Sequence, residues 1–248
     1  VSAVVLALLA GALVGVALGA LGGGGSVLAV PALIYVLGFS PAAATTASLL
    51  IVTATSATAL YAHARAGNVR WRTGALFAAA GVLPAAAAGA AATRMPQHML
   101  TAAFAAVAAL AAVRMLTPVR TTGQAGAEHP VKAAGAGAGL GALTGLLGVG
   151  GGFLAVPALI TVLGFEMQAA VGTSLLVISA NALASLVTRG STTAGLDWAV
   201  VAPFIATAIL GAWDGKRLAA KVSGKVLQRI FASALLAVAA FMLLDVLT

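Results

Sequence analysis

The sequence predicts an all-α polytopic membrane protein made of two inverted repeats, each a glycine-tipped helical hairpin plus three spanning helices. Three observations carry that expectation. The 248-residue chain is 62% hydrophobic and only 7% charged, where a soluble domain carries about 25% charged residues. A glycine cluster interrupts apolar sequence twice, as Gly22-Gly23-Gly24-Gly25-Ser26 and as Gly148-Val149-Gly150-Gly151-Gly152. The basic residues fall beside opposite loops in the two halves.

Composition sets the class. No charged side chain occurs from Val1 to Ala64, and charge-free runs recur at 73–93, 95–113, 133–165, 167–188, 198–213 and 230–244. A helical span needs about 20 apolar residues. The Ala- and Gly-rich runs suit helices that pack through small residues. They lack the alternating strands of a barrel. The net charge of +8 does not indicate nucleic acid, because the basic residues sit in short segments beside apolar runs, as cytoplasmic loops do. There is no cysteine, which removes disulfides, thiol chemistry and Cys-ligated metals. The first segment lacks the charged n-region and cleavage site of a signal peptide and reads as a structural span.

The glycine clusters belong to a duplication. Leu28 to Phe39 and Leu154 to Phe165 differ at one position, Tyr35 against Thr161. Phe104 and Phe231, and Met115 and Met242, extend the match towards the end of the chain. The division is a first membrane repeat at 1–116, a polar cytoplasmic linker at 117–132 and a second membrane repeat at 133–248.

Taken in order, Val1 to Leu21 is apolar, with Gly11, Gly15 and Gly19 on one helical face where another helix can approach closely. The glycine break follows, since glycine loses the most backbone freedom on entering a helix. Val27 to Leu37 is too short to span. Ser40 reads as an N-cap and Pro41 as a first helical residue. Ala42 to Ala62 is a full span. Thr73 to Ala92 is another, with a kink expected at Pro84, and Met99 to about Leu116 is a third. The second half repeats this as 133–147, the glycine break, 153–163, 167–188, 198–213 and 226–247.

Loop charges give the orientation. Loop 63–72 holds Arg65, Arg70 and Arg72, while its counterpart at 189–197 balances Arg189 with Asp197. Loop 94–98 holds Arg94 and His98, while its counterpart at 214–229 holds Lys216, Arg217, Lys221, Lys225 and Arg229 against Asp214. Basic loops stay inside, so corresponding loops lie on opposite sides and the halves are inverted. Loop 63–72, the linker and loop 214–229 are then inside. Each hairpin makes no net crossing, and the two tips are expected to meet near the midplane. Two breaks in corresponding positions of two halves point to a binding site.

The tips carry the chemistry. Each leads into a helix N-terminus, at Val27 and Phe153, where free amides and the macrodipole favour an anion and glycine leaves the approach open. The candidate binding residues are Gly23, Gly24, Gly25, Ser26, Gly150, Gly151 and Gly152, with the nearby hydroxyl and amide groups of Thr46, Ser48, Thr173, Ser174 and Asn181. Each hydroxyl has a structural alternative, a bond to the preceding turn or to a neighbouring helix. His63, His98 and His129 sit at span ends or in the linker and read as solvated. No Asp or Glu lies within a span, whereas cation transport or a carboxylate proton relay would call for one. Nothing offers metal-ligand spacing, a catalytic Ser/His pair or a nucleotide-binding loop. No catalytic residue, metal or cofactor is expected, and the chain does not read as an enzyme.

The duplicated glycine cluster followed by Val-Pro-Ala-Leu (Val30 to Leu33, Val156 to Leu159), the Leu-Gly-Phe segments and Ala-Val-Gly-Thr-Ser-Leu at 170–175 resemble the TauE/SafE family of sulfite exporters, also called the 4-toluene sulfonate uptake permease family. The first half departs from that pattern, with Ala-Thr-Thr-Ala-Ser-Leu at 44–49 and Ser26 in the place of Gly152. The resemblance implies a multi-pass protein of the bacterial cytoplasmic membrane that moves sulfite or small organosulfonate anions, a small sulfur-containing oxyanion and the lipid bilayer being its partners. Alternating access between the halves and outward movement are the expected mode. The alternatives are a transporter of a cation or neutral solute and a non-transporting membrane scaffold. Oligomeric state is open.

Overall fold

Ser40 and Pro41 open a helix as their chemistry requires. Ser40 is extended (φ −63°, ψ 151°), its hydroxyl accepts from the Ala43 N–H at 3.4 Å, and Pro41 takes the first helical position, where no N–H is needed. The structure, a computed structural model, describes residues 2–22, 28–30, 32–92, 97–117, 130–147, 152–188 and 196–247. Among these the order is α1 (Ser2–Leu21), a π-helical turn (Ala32–Val36), α2 (Pro41–Arg65), α3 (Trp71–Ala92), α4 (Gln97–Leu116), α5 (Pro130–Leu147), α6 (Gly152–Thr161), α7 (Met167–Thr188), α8 (Trp198–Lys221) and α9 (Gly224–Leu247).

Five stretches are long and apolar enough to cross a membrane: Ala3–Leu21, Thr46–Arg65, Met167–Ala184, Trp198–Lys221 and Gly224–Phe241. Large apolar side chains face outward along the bundle, among them Leu9, Leu13, Leu83, Leu210 and Leu244. That much exposed apolar surface belongs against lipid.

The elements pair in a regular way. α1 packs on α8 and α5 on α3, while α2 packs on α7 and α4 on α9. Exchanging each element for its counterpart in the other half returns the same four pairs. The two glycine-lined pairs match in detail. A Cβ on Gly11 would lie 2.4 Å from the Phe204 carbonyl oxygen, and one on Gly137 would lie 2.2 Å from that of Phe77. Gly15 faces Ala208 O at 2.1 Å, and Gly141 faces Gly81 O at 2.1 Å. Phe77 and Phe204 are themselves buried. The expected close approach at Gly11, Gly15 and Gly19 is therefore backbone against backbone, with α8 as the partner.

These contacts also give directions. Gly11, Gly15 and Gly19 meet Phe204, Ala208 and Ala212 in ascending order, so α1 and α8 run parallel, and α5 and α3 do likewise. α2 and α7 run antiparallel. Ser56 meets Ser179, while Asn68 and Arg70, just past the end of α2, meet Gly172 and Thr173 near the start of α7.

Several expectations need correction. The segment 214–229 is helical rather than a loop. α8 continues to Lys221 and α9 begins at Gly224, with Lys216, Arg217 and Lys221 on the first and Lys225 and Arg229 on the second. Lys and Arg are good helix formers whose long stems let the charge reach water from a helix end. Asp214 thereby falls inside α8, exposed and 3.5 Å from Arg217. α5 begins at Pro130, inside the stretch read as linker, with proline again at a first helical position. The span expected at Thr73 to Ala92 is α3, which carries Pro84 in its interior. The short second arm of the first half is π-helical at Ala32–Val36, unlike its α-helical counterpart α6.

The α2–α7 contact carries a hydrogen bond in which the Ser179 hydroxyl donates to Ser56 Oγ at 2.9 Å, with Ser56 fully buried. Interhelical bonds in membranes average about 0.6 kcal/mol. Ser56→Ala, Ser179→Ala and the double variant should therefore each lose about 0.6 kcal/mol. A double-mutant cycle in reversible denaturation reads this, and additive single losses would show the bond to be inactive.

Candidate functional site

The breaks at the glycine clusters are visible at their described edges. α1 ends at Leu21, and Gly22 takes φ +67° while its N–H bonds to the Leu18 carbonyl at 2.8 Å. This is the left-handed closure that glycine supplies at a helix C-terminus. α5 ends at Leu147 and α6 starts at Gly152. Gly23, Gly24, Gly25, Ser26, Gly150 and Gly151 lie outside the described residues. Gly152 is described as the first residue of α6, so this helix starts one residue earlier than Phe153.

Gly22 ties the first tip to the second half. A Cβ there would stand 2.7 Å from Ser174 Oγ and 3.3 Å from the Val171 carbonyl oxygen. Only a residue without a side chain fits this approach to α7. α1 has 20 residues and rises about 30 Å, the thickness of a bilayer core. Its Gly19 carbonyl lies 3.3 Å from Nε2 of His63 in the last turn of α2. Gly22 therefore lies near the end of α2 and not halfway along it, because α1 keeps its close contact with α8 from Gly11 to Ala20.

The hydroxyls named from the sequence fall into two groups. Thr173 and Ser174 are fully buried, Ser174 beside Gly22 and Thr173 against Arg70 and Gly74. Thr173 Oγ1 accepts from the Arg70 N–H at 3.1 Å, and the Ser174 hydroxyl donates to Val171 O at 2.8 Å. Thr46 and Ser48 are buried on α2, in the other half. Asn181 is half-buried on α7, two residues past Ser179. The structure thus brings Ser174 together with the start of the first tip and Thr173 together with Arg70, and sets Thr46, Ser48 and Asn181 apart from that tip. Gly172, in the Ala-Val-Gly-Thr-Ser-Leu segment, has its own reason: a Cβ there would meet the Asn68 carbonyl oxygen at 2.5 Å.

The same corner collects positive charge. Lys216 Nζ donates to the Ala62 carbonyl at 2.6 Å, answering one of the carbonyls that the last turn of α2 leaves open. Arg70 is exposed at the following loop, and Arg65 lies 5.9 Å from the ring of Tyr61. Among the described residues no Asp or Glu is buried, and no group of His, Asp or Glu could hold a metal ion.

Sequence reasoning missed one residue. His63 is 3% exposed, not solvated. It reaches the buried carbonyl that Gly19 leaves accessible against α8. The signal available was a histidine two residues before the first charge of the chain, among alanines.

The sequence pattern over nearly the whole chain decides the family. The model of the sulfite exporter TauE/SafE family matches residues 7–242. The chain belongs to the TauE/SafE family. This TauE/SafE member is also 34% identical over 241 residues to probable membrane transporter proteins from two strains of Xylella fastidiosa, 9a5c and Temecula1, covering 94% of its own length and 92% of theirs. No solved structure matches it. Family, relatives and apolar helices together make the TauE/SafE member a multi-pass membrane transporter.

Proposed function

We propose that this chain carries small sulfur oxyanions, sulfite or an organosulfonate, out across the bacterial inner membrane by alternating movement of two inverted halves. The observation that carries the reading is Gly22 against Ser174: the first glycine of one half's cluster stands against a buried hydroxyl of the other half. The antiparallel run of α2 against its counterpart α7 supports inversion. In this reading the tip amides and the hydroxyls of Thr173 and Ser174 bind the anion from one side. Gly150, Gly151 and Gly152 with Thr46, Ser48 and Asn181 form a second, separate station that the anion occupies in the other half of the cycle. Ser174 now gives its proton to Val171 O, so anion binding turns that hydroxyl from its own helix to the ligand.

Energetics favour export. Moving one charge across the field is worth about 2.3 kcal/mol per 100 mV. With the inside negative, a sulfur oxyanion leaves downhill.

Charge movement tests this. Proteoliposomes on a solid-supported membrane are pulsed with sulfite, sulfoacetate, sulfate and chloride. A saturable current with sulfite or sulfoacetate, absent from empty liposomes and lost in Gly151→Leu, is the expected result. Currents elicited by cations and indifferent to the oxyanions would replace the sulfur-oxyanion reading with a cation carrier.

A further inference from the structure

One buried titratable group has no part in that reading. His63 is in the last turn of α2, 97% buried, with Nε2 3.3 Å from the Gly19 carbonyl oxygen. Its Nδ1 is a buried polar atom with no hydrogen-bond partner. Native proteins leave few such atoms, and each calls for an explanation. The bond to Gly19 fixes the tautomer, because a carbonyl only accepts and Nε2 must carry the hydrogen. Nδ1 is then a bare lone pair in the wall of the corner where the first tip begins.

The groups around it are few. α1 contributes no titratable side chain, and neither does α7. α8 contributes Lys216, whose ammonium is held on the carbonyl of Ala62, the residue before His63. Asp214 and Arg217 of α8 are exposed and paired with each other. On its own element Arg65 stands over Tyr61, and Arg70 beyond the loop is exposed. Among the described residues no carboxylate is paired with the ring. A proton arriving at Nδ1 would put a second N–H, and a second positive charge, beside Lys216 with nothing to accept it. The closed corner therefore holds the ring only without that proton. Taking the proton requires α1 to part from α2, and α1 leads directly into the glycine tip.

We propose that His63 is the proton-binding site of this transporter, and that its protonation is coupled to the parting of α1 from α2 at Gly19. The step is a single addition: one proton from water joins the Nδ1 lone pair, and no other covalent bond is made or broken. The proposal rests on the transport reading above and adds a coupling ion to it. It places the proton on an imidazole, the one side chain whose ordinary range spans physiological pH, in a chain that offers no buried carboxylate among its described residues.

Two measurements decide it. The first needs no substrate. In the His98→Gln/His129→Gln chain, His63 is the sole histidine, and its ring nitrogens are followed by ¹⁵N NMR in nanodiscs. The expected result is an Nε2–H tautomer at high pH that gains a proton at Nδ1 as the pH falls, together with exposure of a cysteine introduced at Ala62. The second is flux across the same pH range. Wild-type flux changes with pH, whereas His63→Asn and His63→Gln, which keep a donor for Gly19 but cannot titrate, give pH-independent flux. A structural role alone would be rescued by those variants with the pH profile intact. A ring that never titrates, or a pH profile that survives in both variants, overturns the proposal. If no oxyanion flux is found at all, the transport reading fails separately and the ring titration still decides the proton site.

Discussion

Gly15→Ala should destabilise the protein by about 2 kcal/mol or more, although it adds one methyl group and improves helix propensity by about 1 kcal/mol. The new Cβ would stand 2.1 Å from the Ala208 carbonyl oxygen and 2.7 Å from Ala208 Cα. Both are backbone atoms of α8 and cannot rotate away as a side-chain terminus can. α1 and α8 must separate, and they touch in the same manner at Gly11 and Gly19, and in reverse at Gly211 and Gly215. Parting them at one point loosens the packing of the whole seam. Gly141→Ala should behave alike, since its Cβ would meet the Gly81 backbone at 2.1 Å. Gly139→Ala is the control: it lies two residues away on the same helix with nothing within 4 Å, and should be neutral or slightly stabilising. Thermal unfolding in one detergent checks all three. At about 2–4 °C per kcal/mol for a chain of this size, Gly15→Ala and Gly141→Ala should melt roughly 4–8 °C lower. Equal melting of Gly139→Ala and Gly141→Ala would refute the seam.

The same glycines mark what the sequence could and could not disclose. Their four-residue spacing predicts one small face, because helical period alone places residues 11, 15 and 19 together. The partner is not legible. That α8, 193 positions away, supplies Phe204, Ala208 and Ala212 is a property of the assembled bundle, and nothing local in α1 encodes it. Ser40 and Pro41 were readable because a cap acts within four residues. Charge does not mark a loop at the basic end of α8, because Lys and Arg continue a helix readily and reach water from its end. Nor does proximity to Arg65 place His63 in solvent, because its burial depends on Gly19 arriving from another helix. The glycine clusters predicted where helices stop, and the edges at Leu21, Leu147 and Gly152 agree. The depth of the first tip followed instead from the length of α1 and its register on α8, which the duplication does not encode.

Gly22→Ala should lower oxyanion flux by about tenfold while leaving the protein folded. Two costs combine. The backbone at Gly22 has φ +67°, and a residue with a Cβ pays about 1–2 kcal/mol to hold that conformation. The added Cβ also meets Ser174 Oγ at 2.7 Å. A penalty near 1.4 kcal/mol against the seated tip reduces its population about tenfold. The clash can be separated from the backbone strain. Ser174→Ala removes the Oγ that the new methyl would strike, so Gly22→Ala/Ser174→Ala should recover part of the flux lost in Gly22→Ala, measured relative to Ser174→Ala. The Val171 carbonyl, 3.3 Å from the same Cβ, can accommodate a small shift. Recovery would establish that Gly22 and Ser174 act as one contact between the halves during transport, and flux that is indifferent to Gly22→Ala would remove the first tip from the transport path. A seated tip that must leave Ser174 in each cycle also explains the use of glycine and serine here, because a bulkier pair would lock or exclude the contact, while small groups make it cheap to form and cheap to break.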